Sequence, residues 1–390
     1  MKILYCALAI DMSGSHGGTT HVREVTNGLA ALGHEMRVLV RGTSATGHHE
    51  RLNARVTYLT TPPKLVWAAT PRVRKIVNDW QPDIVIERFY TFAGGGIVAA
   101  HARTIPAILE VNAPVLDPPG SAKDRVDKFT GHLMRRWATR QCRWADAIVT
   151  PLATTVPAAV RDKVLPLQWG ANVQQFDPTR FPRTGAEAQT LRRRYGIPPD
   201  APVVGFVGSF RAWHGAAEAI RAFDRVRAQV PDAYLLLVGD GPERQALERA
   251  VRDASQPGIV FAGVVPYDDV PLHLALCDVA VAPFVSALHA PLDYFGFYWS
   301  PLKVFEAMAM AVPVVTTAVA PLTEIVRGAG ITVPEREAEA LASVLVGLLR
   351  DPERRAAMGA MGRARVVAEW SWEAHCRRLD TLITTLVPRR

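Results

Sequence analysis

The chain has 390 residues, of which 49% are hydrophobic, and its formal net charge is +8. That length suffices for two domains with separate cores, whereas no apolar run approaches the ~20 residues that a membrane-spanning helix needs. The positive charge is spread along the chain and suits an anionic small ligand, an acidic membrane surface or nucleic acid equally well, so charge alone identifies no partner.

The N-terminal half alternates apolar runs with helical patterns. The first run, KILYCALAI, predicts a buried strand rather than a signal peptide, because Asp11 ends it and no small-residue cleavage site follows. A glycine turn and a helix are predicted in GGTTHVREVTNGLAALGH, and further strands in EMRVLVRG, PDIVIERFY, IPAILEVNA and WADAIVTP. Near-continuous apolar strands separated by helices are typical of a parallel sheet that is covered on both faces.

The same alternation restarts near residue 202, with strands predicted in APVVGFVGSF, AYLLLVGDGP, IVFAGVV, VAVAPFV and VPVVTT. The segment 177–200 is rich in Pro, Gly and Arg, which is typical of a linker. We therefore expect one α/β domain over residues 1–185, completed by a C-terminal helix within 371–390, and a second over residues 186–370. Ligands of open α/β sheets bind at the carboxyl ends of the strands, so the expected site is a cleft between the two domains.

Several familiar chemistries lack their motifs. The four cysteines lie far apart without a C-x-x-C pair, which indicates reduced thiols in a cytoplasmic protein. No D-x-D is present to hold a metal on a diphosphate, and the adjacent histidines of GHHE, residues 47–50, are a weak metal candidate, so no metal is expected. The absence of G-x-x-x-x-G-K-[ST] argues against a P-loop NTPase, and the absence of G-x-G-x-x-G after the first strand argues against a dinucleotide oxidoreductase.

The stretch SPLKVFEAMAMAVPVVTT, residues 300–317, predicts a helix followed by a buried strand. Ser300 is a suitable N-cap, with Pro301 at the first helical position. The amides of Leu302 and Lys303 would then form an anion site at the positive end of the helix dipole. Glu306 lies about 6 Å further along the axis than Leu302, close to the span from a nucleotide diphosphate to its ribose hydroxyls. The alternative is an ordinary capped helix with one Glu at its rim.

Two further turns follow strands and precede helices. In VGSFRAWHG, residues 207–215, Arg211 and His214 are positioned to reach an anion, although a turn packed over Trp213 fits as well. In GSHGGTTH, residues 14–21, glycines would let the backbone approach a ligand closely.

These motifs, together with LLLVGDGPE and EVNAP, resemble the family 4 glycosyltransferases of GT-B fold over nearly the whole chain. The resemblance implies two Rossmann-like parallel-sheet domains facing across a cleft, with the acceptor side in residues 1–185 and the donor side in residues 186–370. It also implies a retaining, metal-independent transfer from a UDP- or GDP-sugar to an unidentified acceptor, with no other cofactor. The alternatives are a nucleotide-sugar epimerase of the same fold and a non-catalytic nucleotide-sugar binder.

The resemblance assigns roles to individual residues. Glu306 matches the second Glu of the family's E-x7-E pattern, which holds the donor ribose, and Tyr298 stands in place of the first. Ser209 and His214 stand where other members often have Arg and Lys, so Arg211 is expected to compensate. The expected catalytic residues are Arg211, His214, Lys303 and Asn112, the last standing where many members have His. The expected donor-binding residues are Gly17, Gly18, Ser209, Ser300, Leu302, Lys303, Glu306 and Val265. Those expected at the sugar or acceptor are His16, Asp293, Tyr294, Phe295 and Tyr298.

The segment 122–145 is basic and carries five large apolar residues near one predicted helical face: Val126, Phe129, Leu133, Trp137 and Trp144. A domain helix with a solvated basic face explains this pattern. A helix in transient contact with the inner face of a membrane is the alternative. Neither interpretation calls for a nucleic-acid partner.

Overall fold

The computed structural model describes residues 1–12, 17–42 and 52–387. They form two compact units. Unit 1 comprises residues 1–169, 294–300 and 372–390, and unit 2 comprises residues 170–293 and 301–371. The chain therefore passes between the units after Trp169, earlier than the proline-rich segment suggests, because most of that segment folds into unit 2.

Unit 1 is built on a seven-stranded sheet in the order β3-β2-β1-β4-β5-β6-β7, and every paired neighbour is parallel. Its strands are β1 Lys2–Asp11, β2 Glu35–Arg41, β3 Arg55–Leu59, β4 Ile84–Arg88, β5 Ala107–Glu110, β6 Ala147–Thr150 and β7 Val164–Pro166. The central strands coincide with the predicted apolar runs, and Ile3 to Ala7 in β1 are fully buried, as expected of a sheet covered on both faces.

Unit 2 holds a six-stranded parallel sheet in the order β10-β9-β8-β11-β12-β13. Its strands are β8 Val203–Val207, β9 Tyr234–Val238, β10 Ile259–Gly263, β11 Val279–Ala282, β12 Val314–Thr317 and β13 Gly330–Val333. Because all strands run the same way, the loops that leave their carboxyl ends gather along one edge of each sheet. The predicted fold class, two Rossmann-like parallel-sheet domains, is confirmed.

Most helices connect successive strands, and the last three follow β13. Those of the N-terminal half are α1 Gly17–Ala31, α2 Thr70–Trp80, α3 Gly95–Arg103, α4 Ala122–Phe129 and α5 Leu133–Trp144. Those that follow are α6 Ala186–Arg194, α7 Ala216–Arg227, α8 Arg244–Asp253, α9 Val270–Ala275, α10 Ala290–Phe295, α11 Leu302–Ala309, α12 Leu322–Ile325, α13 Ala338–Arg350, α14 Pro352–Glu369 and α15 Trp372–Leu386. Among the described residues, none of these helices combines the length and apolar character that crossing a bilayer requires.

The last helix, α15, belongs to unit 1 and packs against α1. The contact is close because α1 carries a glycine at the crossing: a Cβ added to Gly28 would lie 2.4 Å from the sulfur of Cys376. All four cysteines are buried and unpaired in the structure, in agreement with the expectation of reduced thiols.

The segment 122–145 is not one helix, contrary to the sequence interpretation. It forms α4 and α5, separated by Gly131 and His132, whose φ angles are +68° and +61°. Left-handed backbone at two successive residues ends α4, so the five apolar side chains do not share a single helical face. Val126 and Phe129 project from α4 and Leu133 from the start of α5, and all three are exposed.

Candidate functional site

The most unusual group in unit 2 is the ammonium of Lys303, in the first turn of α11. Its Nζ lies 4.3 Å from the ring centroid of Phe206 and 5.2 Å from that of Phe284. Nζ is buried and has no hydrogen-bond partner among the residues that the structure describes. Burial lowers the pKa of Lys303 to about 7, although Glu306 acts in the opposite direction. A buried cation without an acceptor is costly, so this pocket is suited to an incoming anion.

Gly208, directly after β8, makes room for this ammonium. Its φ is +140°, and a Cβ built on it would lie 2.7 Å from Lys303 Nζ. A second glycine, Gly239, follows the neighbouring strand β9 and has a φ of +133°. Its backbone lies so close to Gly208 that a Cβ added to Gly239 would lie 2.1 Å from the Gly208 carbonyl oxygen. Only glycine combines this backbone conformation with the absent side chain. At the ends of β8 and β9, main-chain atoms of Gly208 and Gly239 therefore border the pocket of Lys303, and neither residue adds a side chain there.

The start of α11 differs from the prediction in one respect. Ser300 is not the N-cap: its hydroxyl donates to Gln168 Oε1 at 3.0 Å and accepts from the Trp169 amide at 2.9 Å. Ser300 belongs to unit 1 with both partners, and Pro301, which has no side-chain oxygen, stands at the cap position. The Pro301 carbonyl accepts from the amides of Val304 and Phe305. The amides of Leu302 and Lys303 precede these bonds, as the geometry of a helix start requires.

Glu306 lies one turn further into α11 and is 6% exposed. The hydroxyl of Tyr267 donates to its Oε1 at 2.8 Å. Burial raises the pKa of Glu306 to about 7, although Tyr267 and Lys303 both act to lower it. Sequence reasoning missed Tyr267. The signal for it was its place in the loop after β10, two residues beyond Val265, because that loop leaves the same edge of the sheet at which α11 begins.

Arg211 stands at the entrance to the turn that follows β8. Its side chain is exposed, with the guanidinium 5.3 Å from the ring centroid of Trp213. Trp213 in turn stacks on His289 at 4.4 Å between ring centroids. The aromatic pair supports the arginine through a cation–π contact. The guanidinium is therefore accessible to a ligand at this edge of the sheet.

His214 is not the cation that the sequence suggested. Its Nδ1 lies 2.8 Å from the carbonyl oxygen of Ser209, which can only accept, so Nδ1 carries the proton. Burial, with the nearby charges of Lys303 and Arg211, lowers the pKa of His214 to about 3. The imidazole is therefore neutral near pH 7. It holds the turn by bonding to Ser209, and Lys303 and Arg211 supply the positive charge.

Asn112, in the loop after β5, belongs to unit 1. Its Oδ1 accepts a hydrogen bond from Trp169 Nε1 at 2.8 Å. Its Nδ2 is buried and has no partner within the described part of the chain. The carboxamide is thus oriented by Trp169 and keeps one donor unused. Gly17 and Gly18 open α1 in the same unit, and His16 lies outside the described residues, as do the histidines of GHHE.

A buried polar network adjoins the β5 loop. Burial acts to raise the pKa of Glu110, but His21, Arg88 and Tyr5 together hold it at about 2. His21 Nδ1 lies 2.9 Å from Arg88 Nη1, and its Nε2 lies 2.9 Å from Glu110 Oε1. An arginine can only donate, so His21 accepts at Nδ1 and carries its proton on Nε2, facing the carboxylate. His21, Glu110 and His375 lie close enough together to hold a metal ion, but the guanidinium of Arg88, which lies beside both His21 and Glu110, disfavours a second cation there.

The loop HAPLDYFGFY crosses the boundary between the units, with Asp293 in unit 2 and Tyr294 in unit 1. Tyr294 is 60% exposed and Tyr298 only 3%. Burial raises the pKa of Tyr298 to about 12. A buried, neutral phenol at this position cannot replace the carboxylate of the E-x7-E pattern as a charged acceptor. Phe295 accepts a hydrogen bond from Thr154 through its carbonyl, which ties the loop to unit 1.

Two family models match the chain, one to each half. The model "Glycosyl transferase 4-like domain" matches residues 16–167, and "Glycosyl transferases group 1" matches residues 201–351. The second match includes the turn after β8, the loop of Tyr267 and all of α11. Together the two matches take in most of both units.

The chain is also similar to proteins that are named as glycosyltransferases. A GDP-mannose-dependent monoacylated alpha-(1-6)-phosphatidylinositol monomannoside mannosyltransferase from Corynebacterium glutamicum is 35% identical over 55% of this chain and 54% of its own length. The 2-deoxystreptamine glucosyltransferase of Streptomyces kanamyceticus is 29% identical over 60% of this chain and 62% of its own. The chain thus spans little more than half the length of these relatives. Among solved structures, a glycosyltransferase from Rickettsia africae ESF-5 matches all of this chain and 99% of that one, with a TM-score of 0.78 and 17% identity.

Proposed function

Because the chain belongs to the family 4 glycosyltransferases of GT-B fold, we propose that it transfers a sugar from a nucleotide-diphosphate sugar to an acceptor, with retention of configuration and without a metal. The observation that carries the proposal is the buried ammonium of Lys303, which has no acceptor among the described residues and lies beside Gly208 at the start of α11. A diphosphate supplies the missing acceptor. The carboxylate of Glu306, one turn further, is then placed for the ribose hydroxyls.

The reaction needs charge stabilisation more than it needs a base. The bond from the sugar's anomeric carbon to the diphosphate oxygen breaks, and a bond to the acceptor oxygen forms on the same face. The acceptor's proton passes to the departing phosphate oxygen, leaving a nucleoside diphosphate and the glycosylated acceptor. Lys303, Arg211 and the amides of Leu302 and Lys303 stabilise the negative charge that develops on the diphosphate. These groups take the place that a divalent cation has in other transferases.

Guanine is the favoured base of the donor, because the Corynebacterium relative is a GDP-mannose-dependent enzyme. A UDP-sugar is the alternative. Glu306 and Tyr267 lie on the ribose side of the proposed site and do not distinguish guanine from uracil. The affinities for GDP and UDP identify the base.

The acceptor side of the proposal lies in unit 1. Asn112 is the candidate for contact with the transferred sugar, since its Nδ2 is a buried donor without a partner among the described residues. The proposal also places the protein in the cytoplasm at the inner face of the membrane. The exposed basic and apolar side chains of α4 and α5 support a peripheral contact there.

The test combines binding and turnover. In thermal-shift measurements with EDTA, GDP or UDP should raise the melting temperature of the wild type, and Lys303→Met should abolish most of that increase. With donor alone, proton NMR should show slow hydrolysis that first releases the sugar in the anomeric configuration of the donor. Rapid isomerisation of the donor sugar would instead identify an epimerase, and tight binding without hydrolysis or transfer to any acceptor would identify a binding protein.

A further inference from the structure

Unit 1 contains a large apolar cleft that the proposed donor chemistry does not use. Its volume is about 1170 Å³, and Trp67, Phe92, Leu133 and Trp137 are among the side chains that line it. A second cavity of about 440 Å³ adjoins it, since Phe92 and Met134 line both. The two cavities together are called the unit 1 cleft below.

The segments that contribute residues to the cleft also expose large apolar side chains to solvent. Phe129 is 92% exposed, Leu133 63% and Trp67 58%. Val126 and Leu65 are also exposed, so five such residues come from just two short segments, 63–69 and 122–133. Exposed apolar groups scattered singly need no explanation, but a cluster around a cleft marks a binding surface.

These two segments and the residues that follow them directly are strongly basic. Residues 63–75 and 122–136 contain nine Lys and Arg residues against two Asp residues. All nine basic side chains are exposed, whereas Asp124 and Asp127 are buried. Asp124 accepts from the Gly120 amide and Asp127 from the Met134 amide, and Asp124 also pairs with Lys128 at 2.8 Å. Two further carboxylates line the cleft, Asp79 and Asp117, and they pair with Lys75 and Lys123. The basic groups still outnumber the acidic ones, so the surface around the cleft is positive and apolar at once, which suits an anionic amphiphile.

The unit 1 cleft begins where an acceptor is expected. Phe92 lies in the loop after β4, and Val115 and Leu116 lie in the loop after β5, three and four residues beyond Asn112. Both loops leave the carboxyl edge of the parallel sheet, where ligands of such sheets bind. A ligand with its polar head near Asn112 can thus extend an apolar tail into the cleft.

We propose that the unit 1 cleft binds the acyl chain of an anionic lipid, and that this lipid is the acceptor of the transfer. The proposal rests on the proposed glycosyl transfer, because it names the chemical class of that reaction's acceptor. A concave apolar channel with cationic groups at its rim matches a chain that ends in an anionic head. It does not match a nucleic acid, which would leave the apolar walls uncovered.

The first experiment measures affinity against chain length in the full chain. Isothermal titration uses n-alkyl phosphates from butyl to decyl, each below its micelle-forming concentration. The affinity should rise roughly fourfold for each added methylene until the cleft is filled. Ala68→Trp, which places an indole in the cleft, should flatten the series. Ala102→Trp is the matched control, since Ala102 is an exposed alanine of α3 in the same unit that does not line either cavity.

Charge reversal tests the head-group side of the same site. Lys64→Glu should weaken binding of octyl phosphate at least tenfold at low salt, with a smaller effect at high salt because screening weakens the attraction. Lys64 is exposed and lines the smaller cavity together with Val115 and Leu116. Arg377→Glu, on the exposed face of α15 in unit 1, should change little. Leu133→Glu should weaken binding further, and Leu32→Glu, at another exposed leucine of unit 1, should not.

Several results would overturn the proposal. Affinity that is independent of chain length, or lost equally in the control variants, would mean that the cleft holds no alkyl chain. Binding to vesicles of anionic phospholipid without binding to the monomeric alkyl phosphates would mean a flat membrane contact. A wild-type dimer that Leu133→Glu converts to monomer would mean that a second copy covers the surface. Thermal stabilisation by GDP and by UDP is measured in every variant. If the alkyl phosphates do not bind as expected while a nucleotide still stabilises the protein, only the lipid proposal fails. If neither nucleotide stabilises the wild type, the proposed function fails.

Discussion

The ammonium of Lys303 occupies the space that a side chain at position 208 would need: a Cβ built on Gly208 would lie 2.7 Å from Nζ and 2.9 Å from Cε. The two residues are far apart in the sequence, on the loop after β8 and in the first turn of α11. Their contact places a buried positive charge against bare main chain. This is the arrangement that a diphosphate requires, because its oxygens can then approach both the ammonium and backbone amides.

Gly208→Ala should weaken binding of a nucleoside diphosphate by tenfold or more. The added Cβ displaces Lys303, and the φ of +140° is unfavourable for alanine by roughly 1–3 kcal/mol. Titration calorimetry with GDP and UDP measures the effect. Gly347→Ala is the matched control, since Gly347 lies inside α13 with open space around it and should be neutral or slightly stabilising. Equal losses in both variants would contradict the role of Gly208.

Binding of a nucleoside diphosphate should weaken as the pH rises above about 7. Burial lowers the pKa of Lys303 to about 7 in the free protein, and a bound anion raises it again. Binding above pH 7 therefore takes up a proton, and the affinity falls by up to tenfold per pH unit. Calorimetry at pH 8 in HEPES and in Tris should detect the proton uptake. Lys303→Met should bind weakly at every pH between 7.5 and 9, and a wild type whose affinity is constant over that range would refute the prediction.

Glu306→Gln should lose the ability to distinguish ribose from 2′-deoxyribose. If the carboxylate accepts from the ribose hydroxyls, the loss of charge costs about 1.5–3 kcal/mol of binding free energy. A double-mutant cycle with the 2′-deoxy ligand isolates that contact. Tyr267→Phe serves as a comparison, because it removes the hydrogen bond to Oε1 and keeps the carboxylate. Undiminished preference for ribose in the Gln variant would show that Glu306 does not hold the ribose.

The same variant should change the pH dependence of stability. Burial raises the pKa of Glu306 from 4.5 to about 7, so the folded state binds this proton more tightly than the unfolded state between those values. The protonated form's contribution to stability is present at low pH and is lost as the pH rises toward 7. Glu306→Gln should therefore gain roughly 2 kcal/mol of unfolding free energy relative to wild type between pH 5 and pH 7. Urea denaturation at the two pH values measures this, and parallel curves for both proteins would contradict it.

Arg211→Ala should weaken diphosphate binding by about ten- to a hundredfold, because a charge-assisted contact contributes roughly 1.5–3 kcal/mol. Nucleoside binding should change little, since the proposed contact of the guanidinium is with the phosphates and not with the base. Arg225→Ala, at an exposed arginine of α7, is the control. An equal loss for diphosphate and nucleoside would indicate damage to the fold of the turn instead of a lost phosphate contact.

Local sequence was sufficient for the framework of both units. Apolar runs such as KILYCALAI and AYLLLVGDGP become central strands because burial on both faces demands continuous apolar character. The strands that the sequence left unpredicted, β3, β7 and β13, lie at the edges of the two sheets. These three edge strands are partly exposed and lack the continuous apolar run that identifies a central strand, whereas the edge strand β10 has such a run in IVFAGVV and was predicted.

The sequence by itself determined that a helix with Lys303 and Glu306 precedes a buried strand, since periodicity and composition are local properties. Only the tertiary structure decided what surrounds these residues: Gly208 beside the ammonium, Tyr267 on the carboxylate, and Ser300 bonded to Gln168 and not to the helix. Only folding, too, lowered the pKa of His214 to about 3, through burial and the charges beside it. Each of these depends on contacts between residues distant in sequence, and on the loss of water around charged groups when the chain closes over them.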